Sequence, residues 1–122
     1  MNCLKQVAET SDSSEASYAL RNFLDAFYAE PLAEAIAEEP RWTSAVFQDG
    51  GRMDAYLAAV AEHLARRYHL PLPSWTIDKR RSLEKPYFGA RTFKLQRLLL
   101  ADSPAAFRSR NLFVSADALA RA

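Results

Sequence analysis

The sequence predicts an all-α protein, a single compact domain of about five helices with proline-rich corners. Three observations carry that class. Met53, Tyr56, Leu57, Val60, Ala61, Leu64 and Tyr68 recur at three- and four-residue steps, on one face of a 3.6-period helix. The six prolines stand between such segments rather than inside them. Outside 43–47, 75–77 and 112–114 few residues favour a sheet, and glycine is only 3 of 122 residues.

Residues 1–12 end in a polar run and read as a flexible start; 13–122 form the helical domain. Asp12 and Glu15 have capping-box spacing for a helix running to about Ala29. Ala16, Leu20, Phe23, Leu24 and Phe27 give its apolar face. Pro31 opens and Pro40 closes a second, short helix over residues 32–39. Residues 43–47 suit a helical turn or a short strand, and Asp49-Gly50-Gly51 is a turn in either case.

The strongest helix then spans about Arg52 to Tyr68, with Glu62, His63, Arg66 and Arg67 on its polar side. Pro71 and Pro73 push the residues before them toward extended backbone. Trp75 can therefore fold back over the helix. Residues 76–86 read as a polar crossing anchored by Leu83, with Tyr87 and Phe88 as an aromatic plug.

Thr92 caps a helix whose Leu98-Leu99-Leu100 covers more than one face. Such a helix is buried on two sides or lends a side to another chain. Ser103-Pro104 reads as N-cap and first-turn proline. Residues 111–114 form an extended bridge or a single edge strand, and Ser115 caps a last short helix over 116–122.

The chain as a whole is neutral in balance, at net +1, but not in distribution. Residues 1–62 carry 4 basic and 11 acidic side chains, a net of −7; residues 63–122 carry 12 and 4, a net of +8. Either the halves neutralise each other or a basic surface faces an acidic partner. Cys3 is the one cysteine, so neither an internal disulfide nor a cysteine metal site can form. The start turns polar too soon for a signal peptide, and no apolar run reaches a membrane span. The expectation is a cytoplasmic protein that does not bind membranes.

Chemistry-bearing patterns are sparse. His63 and His69 share no helical face, and the metalloprotease H-E-x-x-H is absent. His63 reads as solvent-exposed. Glu34 and Glu38 lie one turn apart on a wet face, Ser115 has no nucleophile elbow, and no phosphate-binding glycine loop occurs. The expectation is no catalytic residue, no metal and no cofactor. The basic residues carry more: Arg80 and Arg81 in one cluster, Lys94 and Arg97 in another, Arg108 and Arg110 before the end.

Residues 55–122 also carry a recognisable pattern. AYLAAVAEHLARRYHLPLPSW, a Pro-Tyr-Phe segment and LLLADSPAAFRSRNLFVSADALARA resemble a family of small uncharacterised bacterial proteins and C-terminal domains. Some relatives are linked to helix-turn-helix regulators or toxin–antitoxin components. The resemblance implies that Pro71, Trp75, Pro104, Phe107, Arg108, Asn111 and Phe113 carry the family pattern here. The front helix-turn-helix domain is missing from this chain.

Three functions follow as expectations. The first is a non-catalytic helical interaction or regulatory module, an antitoxin-like or accessory subunit of a bacterial operon, with a protein partner or a homodimer. The second is a nucleic-acid-binding protein using the basic 79–97 face. The third is a small enzyme of unrecognised class.

Overall fold

The computed structural model describes residues 3–120. Its elements are α1 (Ser13–Ala29), α2 (Glu34–Ala37), α3 (Ser44–Phe47), α4 (Arg52–Arg67), β1 (Tyr87–Phe88), α5 (Phe93–Asp102), α6 (Ala105–Arg108) and β2 (Leu112–Phe113), with short 3-10 turns at Leu4–Glu9, Ser74–Ile77 and Lys79–Arg81. The domain is mostly helical but not purely all-α. β1 and β2 pair in parallel, Tyr87 beside Leu112 and Phe88 beside Phe113. The Phe88 and Phe113 rings stack at 4.9 Å between centroids.

α4 is the axis of the core. Ala55, Leu57, Ala58, Ala59, Val60, Ala61, Leu64 and Ala65 are all buried. Its alanines let neighbours approach on several sides, so the buried surface exceeds the single stripe that large apolar residues predict. α1 covers it with Phe23, Leu24 and Phe27, and α6 with Phe107. Asp49 fixes where α4 begins. Its Oδ1 accepts from the Gly51 and Arg52 amides and its Oδ2 from Met53, at 2.9–3.1 Å. Three free N–H groups of the first turn are thereby satisfied. The other end closes with Leu70 N–H donating to Ala65 O while His69 takes φ +57°, a Schellman-type stop.

Three expectations change. Part of the loose start over 1–12 is the 3-10 turn Leu4–Glu9, whose Leu4, Val7 and Ala8 are buried in the core. These apolar residues recur at three- to four-residue steps, enough to seat one turn. The last helix over 116–122 is replaced, in its described part, by turns held by Tyr28 donating to Leu119 O; residues 121–122 lie outside the described residues. Ser103 caps no helix start. It closes α5, and its hydroxyl accepts from Val114 N–H at 2.9 Å, stitching α5 to the end of β2.

Trp75 folds back as its proline corner requires, and its Nε1 donates to Ile36 O at 3.2 Å. The least expected core member is Arg81, which is fully buried. Its guanidinium lies over two indole rings, 4.2 Å from the Trp42 centroid and 4.9 Å from that of Trp75. Nη2 donates to Pro40 O at 2.7 Å and Nη1 to Asp54 O at 3.2 Å. Asp54, also buried, accepts from both the amide and the hydroxyl of Thr43 at 2.8 Å. One cation thus ties the α2–α3 link, α4 and the Trp75 corner.

Arg81→Ala leaves the buried Pro40 and Asp54 carbonyls without their donor and removes the charge that faces the buried Asp54 carboxylate and Glu39. The expected cost is about 3–5 kcal/mol. Urea unfolding should show a lower midpoint at an unchanged slope; a loss below about 1 kcal/mol would show that Arg81 is not the clamp described.

Candidate interaction surface

The basic residues singled out by sequence separate into three environments. Arg81 and Arg110 are inside the protein, which removes both from any partner-facing surface. Arg110 links three elements. It donates to Glu62 Oε1 at 2.6 Å, to Ala106 O at 2.7 Å and to Thr76 O at 2.7 Å. Glu62 receives Arg66 on its other oxygen at 2.8 Å. The expected neutralisation between the two halves of the chain is therefore real but local, through Arg110 and Arg66 with Glu62 and Arg81 with Glu39.

Arg80 belongs to the second environment. Asp78 holds it through two hydrogen bonds of 3.1 and 2.7 Å, and its guanidinium lies 4.9 Å from the Trp42 centroid. It lines an open cleft of about 730 Å³ together with Arg52, Lys79, Ser82, Lys85 and Tyr87. Arg52 lies 4.6 Å over the Tyr87 ring. Sequence reasoning missed this pairing, because nothing local joins residues 35 positions apart. The segment behind the cleft is fixed. Arg81 is buried, Leu83 N–H donates to Arg110 O at 3.1 Å, and Asn111 Nδ2 donates to Leu83 O at 2.7 Å.

Lys94 and Arg97 lie on α5, the third environment, and both are exposed. Arg108 is exposed at the end of α6. α5 has no buried residue at all. Phe93 is 76% exposed, Leu98 59%, and Leu95 and Leu100 49% each. Only Gln96 and Leu99 are half-buried. The helix is nevertheless held firmly at both ends. Thr92 Oγ1 accepts from Leu95 N–H at 3.2 Å, and Gln96 Nε2 donates to Ala90 O at 3.0 Å. At the far end the Ser103 amide donates to Leu99 O, and Asp102 Oδ2 accepts from Ala116 N–H at 3.0 Å. α5 is a handle, stapled at its ends, with exposed apolar side chains on both flanks of Lys94 and Arg97.

A smaller cavity of about 430 Å³ gathers Tyr28, His63, Arg67, Tyr68 and Asp117. His63 is half-buried rather than solvent-exposed, its ring edge-on to Phe107 at 6.3 Å. That burial, with the charge of Arg67 added, holds its imidazole below the ordinary value of 6.5. Burial would raise Glu62, but the hydrogen bonds from Arg66 and Arg110 outweigh it and set its carboxyl below 4.5. Among the described residues no group of three or more His, Cys, Asp or Glu could hold a metal, and no helix is long and apolar enough to cross a membrane.

No family model matches the chain, and no curated protein or solved structure matches it.

His63 sets one part of the pH signature, and Glu62 with Asp78, whose carboxyl the Arg80 hydrogen bonds hold at about 2, set the acid part. The folded state disfavours protonated His63, so its contribution is complete above about pH 6.5 and is lost as pH falls below that toward the folded value. Glu62 contributes above its unfolded value of 4.5, and that part is lost as pH falls through its lower folded value. Urea unfolding at successive pH values should show two declines. His63→Gln should abolish the first and spare the second. An unchanged decline between pH 6.5 and 5.5 in that variant would assign it to another group.

Proposed function

We propose that the protein is a non-catalytic helical interaction module that holds a protein partner through α5, as an antitoxin-like or accessory regulatory subunit. The observation that carries this reading is α5 itself, a helix with four exposed large apolar side chains and no buried residue. Four large apolar side chains exposed on one ten-residue helix exceed the scattered single exposures ordinary on a surface, and such an excess marks an interaction site. A helix laid into an apolar groove is a recurrent recognition mode, with anchors spaced three and four residues apart. Leu95 and Leu98 stand three residues apart on one flank, Phe93 and Leu100 share the other, and Lys94 and Arg97 lie between the flanks as a cationic strip that favours an acidic partner surface.

Holding the ends of α5 also lowers the entropic cost of capture. A free ten-residue helix is marginal in water, whereas this one is already formed. The antitoxin-like and bacterial parts of the proposal rest on the resemblance carried by residues 55–122. The nucleic-acid reading of the 79–97 face is weakened by the loss of Arg81 to the core and by the exposed Phe93, Leu95, Leu98 and Leu100 beside Lys94 and Arg97.

Phe93→Ser with Leu98→Lys should change unfolding stability by less than about 0.5 kcal/mol, since both side chains face solvent. A photo-crosslinking residue at position 95 should capture one partner protein in host cells. The double variant should lose about 2 kcal/mol of affinity for that partner, roughly 30-fold. Capture unaffected by the double variant, or no capture by a monomeric chain, would overturn the proposal.

A further inference from the structure

We propose that the cleft between the start of α4 and the 79–87 segment binds a phosphate-bearing ligand through Arg52, Lys79 and Lys85. The proposal is independent of α5 and rests on different residues. The cleft, of about 730 Å³, is in the range of small-molecule sites and exceeds what a single phosphate fills.

Its cations are not balanced by its acids. Asp49 and Glu84 are the two carboxylates on its walls, against Arg52, Lys79, Arg80 and Lys85. Asp49 has both oxygens engaged by the first amides of α4. Arg80 is held by Asp78. Arg52, Lys79 and Lys85 make no ion pair among the described residues. Three unpaired cations around one concavity repel each other, and an anion placed among them relieves that repulsion.

The scaffold is rigid, so binding has little ordering cost. Lys79 stands two residues before the buried Arg81 and Ser82 directly after it, and Lys85 follows two residues after Leu83, whose N–H and C=O are both engaged. Arg52 is steadied on the Tyr87 ring, which leaves its planar fork to meet two phosphoryl oxygens at once. The two lysines act as point charges on further oxygens. Ser82 supplies a hydroxyl donor, and the apolar lining is limited to Leu83 and the Tyr87 ring. That chemistry fits several phosphoryl groups in a row, from a free oligophosphate or from the backbone of a nucleic-acid strand.

Calorimetric titration of the intact chain with tripolyphosphate and with a short single-stranded oligonucleotide tests the proposal and separates the two sources. At least one probe should bind. Lys79→Gln with Lys85→Gln should weaken it by about tenfold or more, with thermal unfolding unchanged. Lys94→Gln with Arg97→Gln, on α5, should leave it as it is. A tighter oligonucleotide with a steep salt dependence identifies a strand as the source; tripolyphosphate binding as tightly or more tightly identifies a small ligand. No heat with either probe, or equal loss in both double variants, overturns the site. Neither result bears on partner capture by α5.

Discussion

A single buried guanidinium sets the conditions for the rest of the molecule. Arg81 is reached by a segment with little apolar content, and it holds that segment against the core by charge and hydrogen bonding instead. Burial pulls its pKa down, while Asp54 and Glu39 pull it back up. The faces of two indoles replace part of the lost hydration. Without this anchor the stretch from Asp78 to Tyr87 has only Leu83 to hold it. The walls of the cleft, the position of β1 and therefore the entry into α5 all follow from where Arg81 sits.

Arg110 performs the same task one layer away. It takes two backbone carbonyls and a carboxylate whose other oxygen is already bound. Charge-assisted bonds of this kind are worth roughly 1.5–3 kcal/mol each when buried. Two arginines thus give a small domain cross-links that connect elements remote in sequence, in the absence of any internal disulfide. The acidic front and basic back of the chain are read best in this light. A few of their charges meet at these cross-links, and Lys79, Lys85, Lys94 and Arg97 are left on the cleft and on α5.

The sequence makes the local features legible and hides the non-local ones. α1 and α4 are marked by apolar periodicity, and Asp12 and Thr92 by capping chemistry that works within three residues. Trp75 is placed by its prolines. The parallel β1–β2 pair leaves no such mark, because two-residue strands show no alternation and their partners lie 25 positions apart. Lys79-Arg80-Arg81 reads as one basic cluster, yet its third member is core. Only the indoles of Trp42 and Trp75 distinguish it, and their convergence is a tertiary fact. The alanines at 55, 58, 59 and 65 hide the extent of α4's burial, since a small side chain signals a face weakly. Half of the candidate surface has the same history: α5 was visible as a three-leucine excess, while Arg52 and Tyr87 meet only through folding.

The exposure of α5 follows from topology, and its composition does not. Parallel strands cannot be joined by a tight turn, so the chain must cross over between β1 and β2, and it does so through α5 and α6. A crossover helix ordinarily buries one face on its sheet. Here the sheet is two residues long on each strand, too short to cover a ten-residue helix, and α5 is left standing. A helix in that position needs no large apolar side chains; lysine and glutamate would serve it and keep the chain soluble. This one instead carries Phe93, Leu95, Leu98 and Leu100 outward. Removing the outward apolar groups would cost the fold little, because the end caps and the Ser103 and Asp102 stitches do not involve them. Side chains that stability does not require, on a helix that the topology obliges the protein to display, are the ones the proposed capture of a partner by α5 would use.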